Sequence, residues 1–192
     1  MNRALDESKA KLRQEMRARL ANLPEQDRTQ KSAMAVSLLR EQTAWRKAQS
    51  VLLYAPVKSE LDVWPLVEEA LAEGKVISLP RFDEANSGYV ACRVADLKTD
   101  LQTGRYGIRE PGQRCEKVAL NRLDFILVPG VAFDLHGHRL GRGKGHYDRI
   151  LTTMRGRKCG VAFDEQIVCQ VPIMPHDSDV NCILTPTRWI EL

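Results

Sequence analysis

Ten consecutive residues, Arg139-Leu-Gly-Arg-Gly-Lys-Gly-His-Tyr-Asp148, set two arginines, a lysine, a histidine, a tyrosine and an aspartate among three glycines. Glycines allow positive φ and let backbone N–H groups converge on one point, which suits an anion. The apolar run Phe125 to Phe133 before the block reads as a buried strand, and Tyr147, Ile150, Leu151 and Met154 after it mark one face of a helix. A strand, a glycine loop and the positive end of a helix together form a phosphate site. Spacing excludes two common versions. A Walker A loop needs Gly at 138 and a hydroxyl residue after Lys144, where His138 and Gly145 stand, and a dinucleotide fingerprint needs Gly at 146, where His146 stands. A glycine-rich turn with solvated cations is the competing reading.

Three distant groups can join this loop. Over residues 3–20, helical spacing gathers Leu5, Leu12, Met16 and Leu20 on one face, yet Lys9 lies inside that arc and Arg13 at its edge. Either the two cations snorkel over apolar surface or the helix meets a bound anion. Glu60 follows the apolar run Val51 to Pro56, at the strand end where open α/β sheets bind ligands. Asp148 falls in the first turn of its helix, where it suits the helix dipole or a Mg²⁺ ion, and His176, Asp177 and Asp179 cluster in a proline-bounded loop. Oxygen donors of this kind favour Mg²⁺ over zinc. Arg105, Tyr106 and Arg109 lie in a Gly- and Pro-rich stretch, 99–118, that reads as irregular.

The elements that must carry these residues form an alternating α/β pattern. A second helix is expected from Pro24 to about Arg40, with Met34, Leu38 and Leu39 in the core. Val51 to Pro56, a helix over 63–73 capped by Asp62 and stopped by Gly74, and Lys75 to Pro80 make a strand, helix, strand unit with a right-handed crossover. Residues 88–95 alternate and suit an edge or antiparallel strand, while Cys159 to Phe163 and Cys182 to Thr185 are further strands. Val-Ala-Phe-Asp occurs at 131–134 and at 161–164, which reads as similar strand ends and not as a repeat architecture. The 192 residues are expected to form one α/β domain, a three-layer sandwich on a mostly parallel sheet, with a helical segment at about 3–48 packed on it.

Composition narrows the class. The 29 Lys and Arg against 25 Asp and Glu give a net charge of +4, compatible with anionic small molecules or nucleic acid. Five scattered cysteines without a C-x-x-C pair argue against a disulfide framework and a zinc site. With no long apolar run and no apolar signal core, a cytoplasmic protein is expected, without a membrane partner.

Several of these stretches resemble the 5-formyltetrahydrofolate cyclo-ligase family: Lys9-Ala-Lys-Leu-Arg13, Lys58-Ser-Glu60, Val128 to Asp134, the block Arg139 to Asp148, Ala162 to Gln166, and Val171-Pro172 through His176-Asp177. The resemblance implies a fold shared with sugar-phosphate isomerases and CoA transferases, and an ATP- and Mg²⁺-dependent closure of 5-formyltetrahydrofolate to 5,10-methenyltetrahydrofolate through a phosphorylated formyl group. It implies ATP contacts at Lys9, Arg13, Arg139, Gly141, Arg142, Gly143, Lys144, Gly145, His146 and Tyr147. Substrate contacts would come from Ala55, Glu60, Arg142, Lys144 and His146, with Glu60 on the pterin ring. Metal contacts would come from Asp148 and Asp177, and Arg142 and Lys144 would be catalytic. The expected partners are ATP and the folate, possibly polyglutamylated, with the protein a monomer. Two positions depart from the family pattern. His146 stands where Tyr is usual, which would make its contact pH-dependent. Asn181 stands where an acid is frequent, which puts a metal contact there in doubt.

Two rival functions remain at this stage. A nucleic-acid module would use the basic helix and loop, although few aromatic residues interleave with the cations. A sugar-phosphate isomerase would need a poised general base and would leave Lys9 and Arg13 without a role.

Overall fold

The computed structural model describes residues 3–85, 87–104, 107–143, 145–174 and 177–192, with the backbone alone at residue 146. Three helices come first: α1 (Arg3–Ala21), α2 (Glu25–Glu41) and α3 (Thr43–Lys47). Then follow β1 (Ser50–Leu52), α4 (Trp64–Ala72), β2 (Val76–Asp83), β3 (Gly88–Val94), β4 (Leu101–Thr103) and β5 (Arg109–Pro111). The remainder comprises β6 (Phe125–Pro129), β7 (Ala132–Phe133), β8 (Arg139–Leu140), α5 (His146–Thr153), β9 (Arg157–Val161), β10 (Cys182–Leu184) and β11 (Trp189–Glu191).

Seven strands form one sheet in the order β11-β10-β9-β6-β1-β2-β3. The five inner strands are parallel, and the edges β11 and β3 are antiparallel. Strand alternation divides the core into two faces. Val51, Phe125, Leu127, Cys182 and Leu184 point to the face covered by α2, α3 and α4, while Leu52, Ile126, Val128 and Ile183 point to the face covered by α5. The expected α/β class and mostly parallel sheet are therefore present. From β1 the chain moves outward to β2, and from β6 it moves the other way to β9 and β10. The strand order thus reverses between β1 and β6, and the crevice at their carboxyl ends is where such sheets accept ligands.

Local chemistry explains where the elements start and stop. Asp62 does not occupy the cap position of α4, which is Val63, but its Oδ1 accepts the Trp64 N–H at 2.9 Å. Gly74, at φ +79°, turns the chain after α4. The expected strand Val51 to Pro56 is shorter: β1 ends at Leu52, and after the Leu53 N–H bonds Ser78 O at 3.0 Å the chain leaves the sheet toward Pro56, which has no N–H to donate. Strand β2 runs through Pro80 to Asp83. The Val76 N–H points to Gln49 O on the β1 side, so that of residue 80 would point the same way, beyond the end of β1, and proline there breaks no ladder bond.

Other expectations are corrected. Met34 is 42% exposed, and the buried face of α2 is Ser32, Ala35, Val36 and Leu39. The stretch 99–118, read as irregular, contains the paired strands β4 and β5. The sequence reading placed α3 within the helical segment of about 3–48 without separating it as a helix of its own, because it is too short to establish a period, and it missed β11, which is held by pairing with β10. The two Val-Ala-Phe-Asp segments differ: Phe133 and Phe163 are both fully buried, but in opposite faces of the core.

Candidate active site

At the crevice between β1 and β6, five pieces of chain meet: α1, the turn 57–62 after β1, the loop 141–145 between β8 and α5, the start of α5, and the segment around Asp177. Each piece is held by bonds that its own residues make.

Helix α1 lies with Met16 buried against Ala132, Leu140 and Val171. This seats Lys9, 6% exposed, inside the protein, where its ammonium pairs with the Asp177 carboxylate. Asp177 also accepts the Met174 N–H at 2.7 Å. One helical turn on, Arg13 Nε donates to Gly141 O at 2.9 Å. Burial and then the neighbouring Arg17 push the Arg13 pKa down, and Asp177 and Asp6 oppose that shift. The apolar arc containing two cations therefore has a tertiary cause: both side chains reach groups on other elements at the crevice.

In the glycine loop, Gly143 (φ +97°) and Gly145 (φ +64°) take the left-handed conformation that brings the chain into the N-terminus of α5. A side chain on Gly143 would meet the Arg13 guanidinium at 3.4 Å, so the loop and α1 are in close contact. Arg139, 5% exposed, points inward from β8. Its guanidinium bonds Asp148 Oδ1 at 2.5 Å and Pro129 O at 3.1 Å, and lies 5.9 Å from the centre of the Tyr147 ring. Its buried Nε has no partner among the described residues. Arg142 extends outward, and its Nη2 donates to Glu60 Oε1 at 2.7 Å and lies 3.4 Å from Ser59 Oγ.

Glu60 is fixed on its own side as well. Its Oε2 accepts the Val57 N–H at 3.1 Å, and its N–H returns to Val57 O at 2.8 Å. Beneath it, the buried Tyr54 hydroxyl donates to Leu61 O at 2.9 Å. Burial above all, then the charge of Glu60, raises the phenol pKa of both Tyr54 and Tyr147, so both remain neutral hydrogen-bonding groups. Ala55 is half-buried on the strand-to-turn connection leading to Glu60. The Tyr147 ring continues to Tyr89 at 6.1 Å and then to Phe82 at 5.6 Å, an aromatic row along this edge of the sheet.

The structure thus brings Lys9, Arg13, Arg139, Gly141, Arg142, Gly143, Gly145, Tyr147, Asp148, Asp177 and Glu60 to one crevice through a continuous set of contacts. Lys144, the side chain of His146, His176, Arg105 and Tyr106 lie outside the described residues. Arg109 stands apart, 4.5 Å from the centre of the Trp64 ring. Asn181 is committed elsewhere, its Oδ1 accepting the Lys158 N–H at 2.9 Å. No group of three or more His, Cys, Asp or Glu suited to a metal occurs among the described residues.

Supporting residues escaped the sequence reading. Asp134 is fully buried and accepts the N–H of His136 (2.9 Å), His138 (3.2 Å) and Val171 (2.9 Å), with His138 Nδ1 at 2.9 Å. Burial would raise its pKa, but these bonds outweigh it and hold the carboxyl below the usual range. Gln166 donates to Gly130 O at 2.9 Å and Val131 O at 3.0 Å, fixing the corner below the glycine loop. Both lie in stretches whose pattern was visible, but the bonds that tie them to other segments, Asp134 to Val171 and Gln166 to Gly130 and Val131, span more than 30 residues.

Comparison with known proteins agrees with this geometry. The model of the 5-formyltetrahydrofolate cyclo-ligase family matches residues 5–186. A curated relative from Escherichia coli (strain K12), 5-formyltetrahydrofolate cyclo-ligase, is 33% identical over 148 residues, covering 75% of this chain and 81% of its own. One from Caenorhabditis elegans, described as a probable 5-formyltetrahydrofolate cyclo-ligase, is 28% identical over 193 residues, covering 94% of each. The solved structure of Aquifex aeolicus 5,10-methenyltetrahydrofolate synthetase superposes with a TM-score of 0.87 at 37% identity, covering 96% of this chain and 92% of that one. By its sequence from residue 5 to 186 and by its fold, the chain belongs to the 5-formyltetrahydrofolate cyclo-ligase family.

Proposed function

We propose that the protein converts 5-formyltetrahydrofolate and ATP, with Mg²⁺, to 5,10-methenyltetrahydrofolate, ADP and phosphate. The observation that carries this reading is the Arg142–Glu60 ion pair of 2.7 Å, which joins the glycine loop to the turn after β1 across the point where the strand order reverses. A phosphate-binding element and a carboxylate suited to a pterin therefore face one crevice.

The chemistry needs both. An amide oxygen is a weak nucleophile and a poor leaving group. In the proposed reaction the formyl oxygen attacks the γ-phosphorus, the bond to ADP breaks, and the formyl carbon becomes an imidate-like phosphate. N10 then attacks that carbon, its proton passes to solvent, and the carbon–oxygen bond breaks with loss of phosphate. Such transfers depend on positioning and charge stabilisation, without a covalent protein nucleophile.

Lys9 and Arg13 from α1, with the loop 141–145 and Lys144, hold the triphosphate. Arg142 and Lys144 stabilise the charge of the transferring group. Glu60 has lone pairs left after accepting from Arg142 and Val57, and these suit the N–H donors of a pterin. Ala55 and the edge of the aromatic row border the folate. The Asp148 and Asp177 carboxylates are each already paired with a cation, Arg139 and Lys9. Such a donor set fits a Mg²⁺ ion held by one or two carboxylates, substrate phosphates and water. When bound, that ion would offset phosphate charge. Arg139 orients Asp148 from below.

Incubating the protein with 5-formyltetrahydrofolate, ATP and Mg²⁺ while recording methenyltetrahydrofolate absorbance and ADP tests the reading. Equal formation of both products is expected. Absence of ATP-dependent product overturns it.

A further inference from the structure

Arg28 on α2 belongs to none of the candidate contacts, yet its guanidinium ties the C-terminal end of α1 to the turn that carries Glu60. Nη2 bonds Leu20 O and Nε bonds Leu23 O at 3.1 Å, at the C-terminal end of α1 and just beyond it, while Nη1 bonds Lys58 O at 3.1 Å in the turn that carries Glu60. Leu20 O is among the last four carbonyls of α1, which lack partners within the helix and attract a cation. Lys58 lies two residues before Glu60. A second bond from α2 supports the same turn, because Ser32 Oγ accepts the Asp62 N–H at 3.0 Å.

Lys9 and Arg13 stand on the same helix, about 10 to 17 Å from Leu20 at 1.5 Å per residue. A packed helix moves as a rod, so a shift at its C-terminal end changes where those two cations stand relative to Glu60. We infer that Arg28 is a positioning residue: it sets the nucleotide-side helix against the folate-side turn and so aligns the two substrates for phosphoryl transfer. Its position requires arginine. Three carbonyls around one planar fork match separate N–H vectors, whereas a lysine ammonium places its donors at one point.

This inference rests on the proposed function and predicts a distinctive split. Each substrate still meets its own contacts in a variant, so binding of either alone changes little, while misalignment of the reacting atoms slows the chemical step. For Arg28→Lys, which keeps positive charge at the end of α1, we expect kcat at saturating substrates to fall about 10- to 100-fold. Dissociation constants for ATP alone and for 5-formyltetrahydrofolate alone should stay within about threefold and the melting temperature near wild type, since rate and single-ligand binding respond to different interactions. Arg28→Ala should show the same loss of kcat with lower stability. An active wild type with an equally active, folded Arg28→Lys overturns the inference and leaves the proposed function standing. So does a variant whose entire loss lies in binding of one substrate. A wild type without ATP-dependent product overturns both.

Discussion

Replacing Arg139 by methionine isolates the interaction beneath the glycine loop. The Arg139 side chain is 3% exposed and its partner Asp148 18%, at 2.5 Å. Methionine retains apolar bulk but leaves Asp148 without its cation and Pro129 O without its donor. Breaking a buried pair from one side costs about 3–5 kcal/mol, and the partial exposure of Asp148 favours the lower end. For a chain of 192 residues, with roughly 2–4 °C per kcal/mol, a loss of about 3 kcal/mol lowers Tm by about 6–12 °C. Thermal and urea unfolding followed by circular dichroism measure this. The double variant Arg139→Met, Asp148→Leu removes both charges and should recover at least half of the loss, because no lone carboxylate remains. A single-variant loss below about 1 kcal/mol, or a double variant that is merely additive, would refute the pair as the anchor of this corner.

Three further outcomes are expected. Lys75, whose side chain is 6% exposed, donates to Ala48 O at 2.8 Å and Arg46 O at 3.2 Å at the end of α3. Lys75→Met should therefore cost about 1–3 kcal/mol in urea titrations, and an unchanged midpoint would count against that cap. Asp134 has a folded pKa below its unfolded value near 3.9, so its contribution is fully present above the unfolded pKa and is lost as pH falls through the folded one. Asp134→Asn should lower stability at neutral pH and flatten the decline below about pH 4; an unaltered acid slope would disprove the assignment. Glu60→Gln should raise KM for 5-formyltetrahydrofolate about tenfold through loss of a charge-assisted hydrogen bond, with KM for ATP within about twofold. Equal changes in both constants would remove Glu60 from the folate side.

Much of the architecture could be read without coordinates because its signals are local. The apolar runs at β1, β2 and β6, the stop at Gly74 and the period of α1 and α4 reflect short-range sterics and burial, which a linear pattern records. The glycine block was legible for the same reason, since left-handed φ at Gly143 and Gly145 is a local demand. Where the pattern failed, the cause was non-local: β11 exists because β10 offers a free edge, and Met34 is exposed because α2 turns Ala35 and Val36 to the sheet instead. Lys9 shows the boundary most clearly. Its place inside an apolar arc was visible in the sequence, but only the fold brings Asp177, 168 residues away, to meet it. The reversal of strand order that sets Glu60 beside Arg142, and the guanidinium of Arg28 that bridges α1 to the Glu60 turn, likewise have no linear trace. Backbone periodicity chooses elements, whereas the contacts that make a site are made by chain segments whose separation no local pattern encodes.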